Sequence, residues 1–405
     1  MRGLSPNRST IGREFVKPRV HFFGGQGIGW ALDEDLAQAR SALEPGIEVG
    51  TFAASSIVLS AWWPPLVRMG RRALGRKTIL CFADNPPAFY LTVPGFDEAA
   101  ARVDLWIARS EEALGQFREL GLPVALAPYT VDAKVFHPLA DTDRNDVRAE
   151  LGLVQEDFVV GNFHRDSLGA DLTLPKVQKG PNLFVEIVEQ ARERIPHLKV
   201  LLAGPRRHWL RRELAARGIP FVFRGEVVDG DDYRVNILDR RVLNRLYGAL
   251  DAVVISSRWE GGPYSVLESI FAGRPVISTR VGTSGDLLGG WLFDFSSEAV
   301  KLLELIEAGG GNFDGIREGA MRSHSASALG SALAAVIKST PRQAPGFWEQ
   351  GESFFWSVMS RAHPSFRGCL GLHKGVSDAM GLVRERKPDG RHVIAAAVSI
   401  AEAQR

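Results

Sequence analysis

The 405-residue chain contains only two cysteines, Cys81 and Cys369. Two thiols cannot build a disulfide framework, and these lack the paired spacing of a zinc site, so the sequence points to a reducing, cytosolic compartment. Long apolar runs are missing as well. No uninterrupted stretch approaches the roughly 20 residues of a membrane-spanning helix, and the basic N-terminus, MRGLSPNRSTIGREFVKPRV, holds no apolar run of signal-peptide length. Neither sign of charge dominates: 49 Lys and Arg against 47 Asp and Glu leave a formal net charge of +2, too little to make nucleic acid the expected partner. The nine histidines form neither HxH nor HExxH, so no metal site is expected. There is no internal repeat and no low-complexity tract.

What remains is an ordinary globular composition, 45% apolar and 24% charged. At roughly 100 to 200 residues per domain, the length calls for more than one core. Short apolar runs alternate with helical patterns, the signature of βαβ units and parallel sheets. Strands are expected at 19–23, 57–60, 78–82, 105–108 and 124–127, with Ser110 as an N-cap for a helix to 120. The polar stretch ADTDRNDVR (140–148) reads as a linker. After it the pattern restarts, with strands at 158–161, 199–203, 221–223, 252–255 and 275–279. The expected architecture is α/β: two tandem Rossmann-like domains, 1–145 and 146–340, whose parallel sheets face a central cleft where ligands bind. Residues 341–405 form a third segment. Its stretch APGFWEQGESFFWSVMSRA (344–362) can present an apolar stripe that packs back on the first domain.

One motif carries more chemistry than the rest. RWEGGPYSVLESIFAGRPVIS (258–278) sets Glu260 on a glycine loop after a strand and Glu268 inside the following helix. Gly261 and Gly262 let a ligand approach the backbone, Pro263 suits the first helical position, and Gly273 suits the C-terminal cap. Unpaired N–H groups at the start of that helix favour an anion, and two ionised carboxylates accept hydrogen bonds from hydroxyls. A sugar attached to a diphosphate meets both demands. On spacing alone, Glu260 could equally end a strand and Glu268 be a helix surface charge.

The motif, continued by SIFAGRPVISTRVGTSGDLL, resembles the Glu-x7-Glu region of family-4 retaining glycosyltransferases, which have the GT-B fold. YTVDAKVFHP (129–138) is similar to that family's Val-Asp-x-x-x-Phe-x-Pro segment, with Tyr129-Thr130 in place of Asn-Gly. VVGNFHRD (159–166) resembles its Gly-x-x-x-Arg, KGPNLFVEIVEQ (179–190) its Lys-Gly helix start, and GGQGIG (24–29) its N-terminal glycine loop. The resemblance spans roughly residues 19–295. It implies retaining transfer of a sugar from a nucleotide-sugar to a glycan, lipid-linked or small-molecule acceptor, with no metal and no cofactor. Glu260 would contact donor hydroxyls, Glu268 the ribose, and Arg165 with Lys179 the diphosphate, with Gly261, Gly262, Pro263, Tyr264, Gly25 and Gly27 also at the donor; His164, where relatives often have glycine, is either a further donor contact or a satisfied structural histidine. The usual Arg–Lys spacing is stretched here to fourteen residues, 166–178 being inserted, which makes Lys176 a competitor for Lys179. A nucleotide-sugar 2-epimerase, an NAD-dependent oxidoreductase and a non-catalytic nucleotide-sugar binding protein are the alternatives.

Several signals stand apart from that set. Asp84 follows a strand of the first domain and is a candidate for orienting an acceptor hydroxyl, or only shapes a turn before Pro86-Pro87. Asp33-x-Asp35, Asp141-x-Asp143 and Asp229-x-Asp231 share a spacing that can hold a divalent ion but reads better as solvated acids. Trp62 and Trp63, followed by Arg68, Arg71 and Arg72, resemble a basic amphipathic element that touches a membrane surface; the competing reading is a solvated helix flank.

Overall fold

The computed structural model describes residues 17–27 and 31–340, without the side chains of 70–72. The C-terminal stripe at 344–362 therefore lies outside the described residues. The apolar runs become two parallel sheets. The first holds β1 (Arg19–Phe23), β2 (Glu48–Val49), β3 (Ile57–Ser60), β4 (Thr78–Phe82), β5 (Leu105–Ala108) and β6 (Val124–Leu126), in the order β2-β1-β3-β4-β5-β6. Its helices are α1 (Ala31–Leu43), α2 (Pro64–Leu74), α3 (Pro87–Tyr90), α4 (Phe96–Ala100) and α5 (Glu111–Glu119). β3 and β4 are buried along their whole length, as strands covered by helices on both faces must be. Ser110 caps α5 by accepting the Ala113 N–H at 3.3 Å.

The chain then crosses to α6 (Asp141–Glu150) and the second sheet, β7 (Phe158–Asn162), β8 (Leu198–Ala203), β9 (Phe221–Arg224), β10 (Ala252–Ile255) and β11 (Val276–Ser278), ordered β11-β10-β7-β8-β9. Around it lie α7 (Pro181–Arg194), α8 (His208–Ala216), α9 (Arg240–Gly248), α10 (Tyr264–Phe271), α11 (Thr283–Leu287), α12 (Ser296–Glu307) and α13 (Asp314–Ser323), and α14 (Ala326–Ser339) closes the described chain. Each sheet is sandwiched between two apolar clusters.

Two expectations change here. The polar stretch 140–148 is not a linker but most of helix α6. Its arginines explain the error: Arg144 donates to Gly248 O and Leu250 O, Arg148 to Ala249 O, and both pair with Asp251. They satisfy the loose carbonyls at the end of α9, so a polar sequence is bound to the second domain by its charges. The crossover is instead 127–140, and Tyr129, Val131 and Phe136 pack into the second domain's core. The other change is α14. Leu329, Leu333, Val336 and Ile337, at helical spacing, pack with Val20, Leu43 and Leu59 of the first domain, so the return of the chain to that domain occurs within 326–339.

Candidate active site

The ends of both sheets' strands meet. Gly261, after β10, lies so close to the loop after β4 that an added Cβ would stand 2.4 Å from Asp84 O. Gly262 lies under the Tyr129 ring, where a Cβ would come within 2.2 Å. The N–H of Gly282 donates to Glu112 Oε2 at 3.3 Å, and Phe89 stacks on Trp259 with centroids 5.9 Å apart. The glycines of the motif are therefore fixed by the opposite domain as well as by their own.

Within this seam the Glu260 carboxylate is buried and receives two protein donors on one oxygen: the Lys179 Nζ ion pair and the Ser257 hydroxyl at 2.8 Å. Lys179 reaches it from the turn before α7. That turn requires Gly180, whose φ is +55° and whose Cβ, if present, would lie 1.8 Å from Ser256 O. Gly180→Ala is expected to destabilise the fold by about 3 kcal/mol and to displace Lys179; a denaturant melt with the wild-type midpoint would contradict this.

Arg165 and Lys176 stand within electrostatic reach of one another and of Arg206, and Lys176 also of Lys179. Burial and then Arg206 lower Arg165 to about 10, while burial followed by Arg165 and Lys179 pulls Lys176 well below the ordinary lysine range. The insertion 166–178 is what brings Lys176 there. It folds back on itself through a Ser167–Pro175 bridge, and the Lys176 N–H donates to Asp166 O at 2.6 Å. Asp166 in turn caps α8 through the Trp209 and Leu210 N–H groups and pairs with buried Arg207. Lys176 and Lys179 are thus neighbours in one cluster rather than rivals for one place. His164 bridges Ser265 and Ser257, and burial, then Lys179, Arg207 and Lys176, hold its imidazole well below its ordinary value, so it is neutral at pH 7.

Glu268 lies one turn into α10 with Tyr247 OH donating to it at 3.0 Å and Arg240 Nη2 at 3.6 Å. Burial pushes its carboxyl up, opposed by Arg240 and then Tyr247. Neither Tyr247 nor Arg240 has a sequence signal, because their meeting with Glu268 depends on how α9 and α10 pack. Pro263 is the N-cap of α10 rather than its first residue, and Gly273 follows the C-cap Ala272 at φ +70°. In the first domain, Gly27 and Gln26 donate their N–H groups to Asp33, and Gly25 packs on the same side chain. Asp84 is raised to about 6 by burial, with Tyr90 OH on one oxygen at 2.5 Å and Asn85 Nδ2 on the other at 3.1 Å. Its backbone abuts Gly261, but its carboxylate is taken up by its own loop.

Two expectations are corrected. Trp62 and Trp63 are only 7% and 4% exposed, Trp62 donating to Gly24 O and Trp63 packing on Tyr90 and Phe96, so they offer no aromatic face to a membrane. Of the basic residues grouped with them, Arg68 is exposed, and the side chains of Arg71 and Arg72 lie outside the described part. Asp33 and Asp35 are engaged within the fold rather than solvated, Asp35 being buried, whereas Asp231 stays exposed in its loop and pairs with Arg206. Among the described residues no group of three or more His, Cys, Asp or Glu could hold a metal ion, and no helix is long and apolar enough to cross a membrane.

Comparison with known proteins points to one family for the second domain. The family model for glycosyl transferases group 1 matches residues 171–307, which contain Lys176, Lys179, Glu260 and Glu268. That segment of the chain is similar to the group 1 glycosyltransferases. A lipopolysaccharide core biosynthesis mannosyltransferase, LpsB of Rhizobium meliloti (strain 1021), is 28% identical over 198 residues of this chain, 47% of its length; that match spans 49% of the relative, about half. Anabaena Alr3699/HepE, solved in complex with UDP-glucose, superposes with a TM-score of 0.62 at 16% identity, over 80% of this chain and all of that one. The trehalose-6-phosphate synthase OtsA gives a TM-score of 0.53 at 14% identity over 76% of each. The two facing Rossmann-like domains of this chain are the GT-B fold.

Proposed function

We propose that the chain transfers a sugar from a nucleotide-sugar to an acceptor hydroxyl, with retention at the anomeric carbon and without a metal ion. The observation that carries this is the buried Lys179–Glu260 pair beside Arg165 and Lys176, where the domains meet. A departing nucleoside diphosphate gathers negative charge, and preorganised cations where charge develops are often the largest catalytic contribution. Arg165 and Lys179 supply them, Lys176 joins them once the diphosphate favours its charged form, and the N–H groups at the head of α10 add the positive end of a helix dipole. Glu260 then holds donor hydroxyls, Glu268 with Tyr247 takes the ribose, and neutral His164 fixes Ser257 and Ser265 around the loop. In a same-face mechanism the leaving phosphate helps to take the acceptor proton. No side chain of the cleft is then needed as nucleophile. Asp84, beside Gly261, borders the acceptor side. HepE, of the same fold, is solved with UDP-glucose, which supports a nucleotide-sugar as donor.

A thermal-shift screen of UDP, GDP, ADP and their sugars, with and without EDTA, tests the reading, because a ligand that binds only the native state raises its melting temperature. At least one nucleotide family is expected to stabilise the chain equally in EDTA. Stabilisation by none would sink the proposal, and product analysis separates transfer from release of an isomerised sugar-nucleotide, the epimerase outcome. In the same assay Glu268→Ala is expected to weaken diphosphate binding about tenfold. Wild-type affinity in that variant would remove Glu268 from the ribose.

A further inference from the structure

Asp33, Glu34 and Asp35 are consecutive acids in the first turns of α1, and each has a different task. Asp33 Oδ1 accepts the N–H groups of Gln26 at 2.6 Å and Gly27 at 2.9 Å, fixing the glycine loop. Glu34 Oε2 pairs with Arg240 Nη1 at 3.0 Å, and Nη2 of the same guanidinium stands 3.6 Å from Glu268. Asp35, 3% exposed, accepts the Tyr264 hydroxyl at 2.6 Å and Arg109 Nη2 at 3.0 Å. Arg109 belongs to the first domain and is wedged between the Phe82 and Tyr129 rings, 4.6 and 4.2 Å from their centroids. A carboxylate buried this far persists only when paired, and Arg109 provides the pairing inside its own domain. The bond from Tyr264 comes from the other domain.

The two contacts that these acids make across the cleft land on the two ends of the donor machinery. Tyr264 opens α10, four residues after Glu260 and four before Glu268, while Arg240 leans on Glu268 from α9. We propose that Asp33, Glu34 and Asp35 form the closure bracket of the transferase: Asp35 through Tyr264 sets the Glu260 loop, Glu34 through Arg240 ties the Glu268 side to the first domain, and Asp33 aligns the glycine loop between them. These are positioning residues, and the assignment rests on the donor-site reading of Glu260 and Glu268. Because one rigid helix carries all three acids, engaging the donor side and bringing the domains together favour each other. The coupling is reciprocal, as linkage requires.

Small-angle scattering and calorimetry on the full chain test this with Tyr264→Phe, Glu34→Gln and the double variant, each alone and with UDP, GDP or ADP. Tyr264→Phe removes one oxygen and Glu34 is partly exposed, so folding is expected to hold, and circular dichroism checks it. The bracket requires a larger radius of gyration in the nucleotide-free variants than in the nucleotide-free wild type. It also requires diphosphate affinity to fall about tenfold in each single variant. A merely structural role would lower the melting temperature and leave radius and affinity at wild-type values, which would overturn the proposal. If no diphosphate binds wild type, the donor reading fails, while the radii of the nucleotide-free variants still decide whether the bracket holds the domains together.

Discussion

Glu260→Gln is expected to cut turnover about a hundredfold to a thousandfold while nucleoside diphosphate binding stays close to wild type. The geometry makes the amide a sharp test. Both protein donors on Glu260, Lys179 Nζ and Ser257 Oγ, use Oε1, and Oε2 takes no hydrogen bond among the described residues. Lys179 is a cation, so a glutamine must turn its carbonyl oxygen toward it and its NH2 toward the cleft. Where the carboxylate offers an acceptor to a sugar hydroxyl, the variant offers a donor, with almost no change in volume. Diphosphate binding is spared for a related reason: Lys179, relieved of a charged partner, is freer to meet phosphate oxygens. Steady-state turnover and calorimetry on the same preparation measure the two quantities. Wild-type turnover in Glu260→Gln would remove Glu260 from the sugar, and a joint collapse of turnover and binding would place it on the diphosphate instead.

The fold was largely legible because parallel strands leave a strong trace. RVHFF, IVLS, TILCF and AVVI are short apolar runs bounded by glycine or polar turns, and they are strands β1, β3, β4 and β10. α6 was not legible, since its attachment is ionic and ADTDRNDVR shows hardly any apolar face. Of the site, Glu260, Lys179, Arg165 and Glu268 could be named because they lie in motifs of fixed order. The partners that give them their chemistry could not. Tyr247 reaches Glu268 across a helix pair, Arg206 joins the cations from the loop after β8, and Asp35 meets Tyr264 over 229 residues of chain. Nothing local in sequence encodes such meetings. The insertion is instructive in the same way: it reads as a loop of unknown purpose, yet its Ser167–Pro175 bridge returns the chain so that Lys176 arrives beside Arg165.

That arrival leads to the other large effect, a proton taken up when a nucleoside diphosphate binds. In the free protein, burial, then Arg165 and Lys179, hold Lys176 well below the usual lysine range, with Glu260 the opposing charge. A diphosphate placed among these cations favours the charged amine and returns its pKa toward the ordinary value. The sign follows directly. Between the lowered free value and the restored bound value, the complex carries a proton that the free protein lacks, so affinity tightens as pH falls through that window, by up to about tenfold per pH unit. Above the bound value the advantage is lost, and below the free value it is complete and constant. Calorimetry at a series of pH values from about 8 upward, in buffers of different ionisation enthalpy, counts the proton, well above the phosphate's own second pKa of about 6. His164, also held neutral in the free protein, is the competing acceptor, so the count is repeated in Lys176→Met and in His164→Gln. Lys176→Met is expected to abolish the uptake, flatten the pH dependence and weaken diphosphate binding by about tenfold or more, whereas His164→Gln keeps the uptake. The same proton count in wild type and Lys176→Met would show that the insertion's lysine is not the group that charges.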